Sequence, residues 1–376
     1  MTIYQRSAKW LIVTLVCSAA PPLTNAASQE EEGRIVKASQ PDGASRMRAV
    51  DELMQRYTGD VPGASLLIVQ EGRTLVEKSY GLGDLEANAA ARPSTNYRLA
   101  SVTKQFTAAA VLLLVQEGEL QLDDPVRKWL PSLPAVTATI TLRHLLSHTS
   151  GLIDYEDVIP PELTAQLRDA DVLKLLESKN RTYFTPGTSY RYSNSGYALL
   201  ALIVSKASQQ DFATFLRERI FAPLGMNATV AYEEGIANVA NRAYGYSEHE
   251  GAWQRTDQSQ TSAVLGDGGI YSSIVDLAKW DAALYDDRLL NASSRKLLFT
   301  PVTATDDPTV RYAMGWRITE EQIGGTTQWH SGETIGFRNV LIRYPQQRFT
   351  IVLLTNRDDP EPYQTARQIA EIYLRN

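Results

Sequence analysis

The sequence predicts an α+β fold: an antiparallel sheet built from both ends of the chain, flanked by helices, with a mostly helical domain inserted between. Three observations predict it. Short β-rich segments lie at 64–80 and again at 326–355, far apart in the chain. The stretch between, about 118–266, reads mostly as helices with long loops. Residues 106–117 are rich in Ala, Val and Leu with no breaker, which marks a buried helix. One sheet made from two separated sets of strands is the economical way to bury all of this. There is no internal repeat and no low-complexity segment.

The first 26 residues stand apart. Arg6 and Lys9 precede an apolar run from Trp10 to Ala20, Pro21 and Pro22 break it, and Asn25, Ala26, Ala27 and Ser28 are small. That is the layout of a secretory signal, cleaved after Ala26 or Ala27. The run, about 11 residues, falls short of the ~20 that a spanning helix needs. No later segment is apolar enough to span, so an exported protein, periplasmic or secreted, with no stable membrane insertion is expected. Cys17, the only cysteine, falls inside the run, so cleavage leaves no thiol and no disulfide. Residues 27–45, with Glu30, Glu31 and Glu32, read as a flexible leader.

The remainder, 46–376, reads as one domain. Residues 46–57 carry Met47, Val50, Met54 and Tyr57 on a helical stripe. Segments 64–69 and 73–80 are β-rich and joined by Glu71-Gly72, a hairpin signal. Helix candidates follow at 143–147, 172–178, 197–208 and 212–220. After Gly268-Gly269 the pattern returns to short strands, with 326–331, 337–344 and 348–355 as successive antiparallel strands and a closing helix over 363–373. The sheet part is therefore 46–117 plus 267–376, and the helical part 118–266.

Composition is that of a folded globular protein, 43% hydrophobic and 21% charged. Net charge is −6, and −8 once Arg6 and Lys9 are removed. With no basic tract, nucleic acid is not an expected partner. A small-molecule or peptide substrate is.

Three short motifs carry the chemistry. Ser101-Val102-Thr103-Lys104 starts the buried helix, and residues three apart share a helix face. A serine hydroxyl needs a base, and a buried lysine with a lowered pKa can be one. Ser-x-x-Lys is weak alone: Ser293-Ser294-Arg295-Lys296 repeats it, where Ser293 reads as the cap of an exposed helix. Tyr192-Ser193-Asn194 lies in a polar loop. A phenol there can shuttle a proton and an amide can hold a carbonyl, but Asn194 or Ser195 can equally be an N-cap. His330-Ser331-Gly332 ends a strand. Gly332 would let a substrate backbone lie against the strand edge and His330 could face a substrate carboxylate, or be a satisfied surface histidine.

In this order the motifs resemble the serine β-lactamase and penicillin-binding-protein superfamily, in the branch holding class C β-lactamases, DD-peptidases, D-aminopeptidases and related esterases. The resemblance runs from about residue 46 to the C-terminus. It includes the segments 145–152, with His148-Thr149-Ser150-Gly151, and 266–272, with Gly268-Gly269, both read as mainly structural. It implies Ser101 as the acylated nucleophile, Lys104 as its base, Tyr192 as proton carrier and Asn194 as holder of the substrate amide. The oxyanion hole would be the backbone N–H groups of Ser101 and Glu333. No cofactor or metal is implied, since side chains and water complete the chemistry.

The third motif departs from the class C pattern of Lys-Thr-Gly. Histidine at 330 is more like certain DD-carboxypeptidases and D-aminopeptidases, which puts fast β-lactam turnover in doubt. The first expectation is a D-amino-acid peptidase or carboxypeptidase. A carboxylesterase or β-lactamase on the same site, and a non-catalytic penicillin- or peptide-binding protein, are the alternatives. His144 and His148 have metal-ligand spacing, but Leu145 and Leu146 occupy the place of the glutamate that a zinc motif needs.

Overall fold

A computed structural model describes residues 43–233 and 235–375, which fall in one compact unit. The expected secretory signal over 1–26, with Cys17, and the leader up to residue 42 lie outside the described residues. The first helix, α1 (Gly43–Leu53), begins inside the segment read as leader and gives way to a 3-10 turn over Gln55–Tyr57. Among the described residues no helix is long and apolar enough to cross a membrane.

The expected sheet is present. Its strands are β1 (Ala64–Gln70), β2 (Arg73–Tyr80), β3 (Thr303–Ala304), β4 (Val310–Tyr312), β5 (Arg317–Glu321), β6 (Gly325–Thr334), β7 (Phe337–Tyr344) and β8 (Phe349–Thr355). They lie in the order β3-β4-β5-β6-β7-β8-β1-β2, all antiparallel. The two ends of the chain meet where β1 pairs with β8, Ala64 opposite Thr355 and Gln70 opposite Phe349.

The central strands are apolar on both faces, because both faces are covered. Leu66, Ile68, Val340, Ile342, Ile351 and Leu353 face one core, with Val50 and Met54 of α1. Leu67, Val69, Leu341, Val352 and Leu354 face the other, with α2 (Lys104–Gln116) and the helical part. α2 is buried from Lys104 through Leu114, as its unbroken apolar composition requires.

α5 (Asn194–Ser208) and α6 (Phe212–Leu216) pack against α2, and α3 (Leu142–Leu146) and α4 (Asp169–Glu177) pack against α5; α6 runs into a π turn over Arg217–Phe221. The helical part also holds short strands at Val230–Ala231, Tyr246–His249 and Ala252–Arg255, so it is less purely helical than the sequence suggests. Val230–Ala231 pairs with Ile270–Ser272, which pairs with Tyr97–Arg98 and so anchors the chain entering Ser101.

α7 (Ile274–Ala283) corrects the expectation of short strands directly after Gly269, while α8 (Ala292–Phe299) is the helix expected near Ser293. Ile274, Leu277, Trp280 and Ala283 recur every third residue and are all buried, a helical stripe. Asn291, not Ser293, caps α8: its Oδ1 accepts the Ser294 N–H at 2.9 Å. The C-terminal helix, α9 (Pro362–Leu374), packs Ala366, Ile369 and Ala370 beside α1.

α7 is tied to the sheet by a buried ion pair. Arg343 Nε of β7 donates to Asp281 Oδ1 at 2.7 Å, and Thr350 Oγ1 of β8 donates to the same oxygen at 2.9 Å. The two charged side chains are 1% and 4% exposed. Removing one partner strands the other in the core. Asp281→Ala should therefore cost about 3–5 kcal/mol in urea unfolding, far above an exposed pair.

Candidate active site

The chain reaches Ser101 through a strained turn. Ala100 has φ 48°, and residues Ala100–Thr103 form a 3-10 turn that runs into α2. A left-handed conformation costs a non-glycine residue about 1–2 kcal/mol, so packing must hold it. Gly332 of β6 supplies that packing. A Cβ there would stand 2.0 Å from the Leu99 carbonyl oxygen and 3.2 Å from the Val102 nitrogen. Gly332 thus makes room for the Ser101 turn, a role the sequence does not show. The strand edge beyond it is open, because β5 pairs with β6 only over Gly325–Trp329.

Ser101 is half-buried and Lys104 is completely buried. Lys104 Nζ reaches Ser101 Oγ at 3.0 Å, Asn194 Oδ1 at 2.8 Å and the Asp267 backbone oxygen at 2.9 Å. The last two oxygens only accept. An ammonium can donate to all three; on losing a proton the amine would keep the last two contacts with its two N–H bonds and turn its lone pair to the Ser101 hydroxyl. That is the arrangement a general base needs.

Asn194 opens α5, and Ser193 is its N-cap, so neither Asn194 nor Ser195 caps the helix. The backbone N–H of Asn194 donates to Asp154 Oδ2 at 2.7 Å and its Nδ2 donates to Glu156 Oε1 at 2.9 Å. The Tyr192 ring centroid lies 5.0 Å from Lys104 Nζ, and its Oη is buried without a hydrogen-bond partner among the described residues. The Arg317 guanidinium lies 5.8 Å from the same ring.

His330 is 1% exposed. Its Nδ1 lies 2.6 Å from the Ser331 carbonyl oxygen and must donate to it, so Nε2 accepts from Tyr312 Oη at 3.0 Å. Burial, then Arg317 and Lys104, hold its pKa well below the usual histidine range, so the ring is neutral. The surface-histidine reading is thereby corrected, and neither ring nitrogen is open to a substrate carboxylate in this structure. Ser331 is half-buried and Glu333 exposed; Glu333 lines the Ser101 cavity.

That cavity is small, about 50 Å³, and polar: Arg98, Ser101, Tyr155, Glu156, Asn194, Asp267 and Glu333 are in its wall. Tyr155 Oη donates to Asp267 Oδ2 at 2.8 Å. Burial raises the Asp267 pKa to about 8 against the pull of Lys104. Glu156 sits at the rim with its carboxyl end turned to Asn194; desolvation there, then Asp154, raises its pKa. Sequence reading missed Asp154, Tyr155, Glu156, the Asp267 side chain, Tyr312 and Arg317. Asp154, Tyr155 and Glu156 sit beyond the last periodic residue of α3, where no pattern marks them. Among the described residues no group of three or more His, Cys, Asp or Glu could hold a metal ion.

A large antiparallel sheet backed by helices, with a serine and a buried lysine at the start of the central helix, defines a serine hydrolase. The chain belongs to the Beta-lactamase family, whose model matches residues 47–374. It is 32% identical to penicillin-binding protein 4* of Bacillus subtilis (strain 168) over 80% of this chain and 70% of that protein. It is 28% identical to a D-aminopeptidase of Gluconobacter oxydans (strain 621H), over 87% of this chain but 60% of that enzyme. Several curated relatives are thus matched over only about 60% of their own length. Among solved structures, an octameric penicillin-binding protein homologue from Pyrococcus abyssi superposes with TM-score 0.78 at 26% identity, over 89% of this chain and 77% of that one. D-amino acid amidase from Ochrobactrum anthropi SV3, complexed with L-phenylalanine amide, gives TM-score 0.73 at 25% identity over 87% and 97%.

Gly332→Ala tests the packing of the nucleophile turn. The added Cβ meets backbone, which cannot swing away. Turnover should fall at least tenfold with far-ultraviolet circular dichroism unchanged, since a displacement of about 1 Å at reacting atoms can cost ~100-fold.

Proposed function

We propose that this chain is an exported hydrolase of D-amino-acid peptides or amides that works through an acyl-enzyme on Ser101. Lys104 takes the Ser101 proton and Tyr192 carries it to the departing amine. Asn194 holds the substrate amide, and the backbone N–H groups of Ser101 and Glu333 face the developing oxyanion, where one donor is worth about 3 kcal/mol. Ser331, on the open edge of β6, lines the approach, and His330 and Gly332 support it from behind. A water then repeats the cycle to release the acyl group, with no cofactor.

The observation that carries the substrate class is Glu156 in the wall beside Ser101. Glu156 is fastened to Asn194, so it stands next to the amide that Asn194 would hold. A carboxylate there suits a substrate with a free ammonium group and repels one with a carboxylate at the same place. The relatives named D-aminopeptidase and D-amino acid amidase support the same reading. A second reading, a carboxypeptidase that takes a C-terminal carboxylate on the leaving side, is favoured by Arg317, a half-buried cation beside Tyr192.

Hydrolysis of D-alanine amide, its L-isomer and its N-acetyl derivative tests the proposal. D-alanine amide should be turned over fastest. Equal rates on the N-acetyl compound would remove the role given to Glu156, and no amide turnover would remove the function. Glu156→Gln keeps the oxygen that binds Asn194 but loses the charge. It should lower kcat/KM for D-alanine amide about 10- to 100-fold, the worth of a charged hydrogen bond of about 1.5–3 kcal/mol, with a smaller loss on a neutral ester.

A further inference from the structure

The segment His148-Thr149-Ser150-Gly151, a structural turn by its sequence, lies against Tyr192. His148 is 1% exposed and has φ 57°. Its carbonyl oxygen accepts the Arg191 N–H at 3.0 Å, and its Nδ1 accepts the Ser193 N–H at 3.2 Å. Arg191 and Ser193 flank Tyr192, so one histidine grips the backbone on both sides of the tyrosine. Its ring also packs on the Tyr192 ring, with centroids 4.3 Å apart and planes at 36°.

We propose that His148 is a positioning residue for Tyr192, and that its two-sided backbone clamp sets the phenol for protonating the leaving group. The inference rests on the proton-carrying role proposed for Tyr192. In that step Ser101 Oγ bonds to the substrate carbonyl carbon and the C–N bond breaks. The departing nitrogen takes the proton that left Ser101, passed through Lys104 and Tyr192. A loop phenol has several rotatable backbone bonds to immobilise, and His148 removes that freedom at both adjoining peptides.

The chemistry of the clamp selects one form of the ring. A backbone N–H only donates, so Nδ1 carries no proton and the neutral ring holds its hydrogen on Nε2. An imidazolium would set two N–H groups against each other. Burial, then Lys104, His330 and Arg317, disfavours charge on His148. Tyr190, Tyr197 and Tyr312 pack on the ring from the other sides. The left-handed backbone narrows the usable substitutes. Asparagine tolerates it better than other side chains, and its Oδ1 can accept where Nδ1 did.

The test compares Tyr192→Phe, His148→Phe and His148→Asn on two substrates, D-alanine p-nitroanilide and p-nitrophenyl acetate. The anilide nitrogen must be protonated to leave, whereas p-nitrophenolate leaves without a proton. Tyr192→Phe and His148→Phe should each lose about 100-fold in kcat on the anilide, with KM little changed and a much smaller loss on the ester. His148→Asn should recover most of the anilide loss. If His148→Phe does not fold, His148→Ala takes its place under the same criteria. Equal losses on both substrates, or no recovery in His148→Asn, overturn the clamp while leaving the role of Tyr192 standing. If Tyr192→Phe shows no dependence on the leaving group, or the wild type leaves the anilide intact, the proposed reaction fails and the clamp with it.

Discussion

Three distant parts of the chain converge on the amine of Lys104. Ser101 lies one helical turn before it, Asn194 opens another helix, and Asp267 precedes the return to the sheet. A fully buried lysine is tolerated only if its hydrogens find acceptors, and here two come from elements about 90 and 160 residues away. The surrounding structure serves that requirement. Thr107 Oγ1 donates to the Gly266 carbonyl oxygen at 2.7 Å, and the Asp169 carboxyl accepts the Leu265 and Gly266 N–H groups, both at 3.0 Å. At Gly266 a Cβ would stand 2.2 Å from the Tyr197 carbonyl oxygen, so only glycine lets α5 lie this close to the Asp267 segment.

The same convergence concentrates charge at a cost in stability. Burial raises the Asp169 pKa from 3.8 to about 7 and that of Asp267 from 3.8 to about 8. The native state therefore binds these protons more tightly than the unfolded chain. The stability they contribute is full below about pH 4 and is lost as pH rises through about 7 to 8. The two histidines go the other way: burial and neighbouring cations keep His148 and His330 neutral. Each then has one nitrogen committed to accepting a hydrogen bond, which fixes its ring orientation.

Much of this was legible in the sequence, and the rest was hidden for identifiable reasons. β1, β7 and β8 could be read because both faces are buried and each carries an apolar run, Leu66–Val69, Val340–Ile342 and Ile351–Leu354. α7 escapes the sequence reading although Ile274, Leu277, Trp280 and Ala283 carry a helical stripe, because it follows directly on Gly268-Gly269, which signal a return to short strands. Ser101, Lys104, Tyr192 and Asn194 are brought together as their motifs suggested. Glu156, Arg317 and the clamping contacts of His148 are tertiary facts, set by loops whose sequences carry no period. That Gly332 also makes room for the Leu99 carbonyl is likewise a tertiary fact that the sequence cannot show.

The central claim is that Ser101 is acylated with Lys104 as its base. Intact-mass analysis after brief exposure to p-nitrophenyl acetate or a penicillin tests it most directly, with Ser101→Ala and Lys104→Ala alongside. The account predicts an added acyl mass that maps to Ser101, is absent from Ser101→Ala, and forms at least about 1,000-fold more slowly in Lys104→Ala, because nucleophile and base act as one unit. An adduct that persists in Ser101→Ala, or one that forms in Lys104→Ala at the wild-type rate, would contradict it.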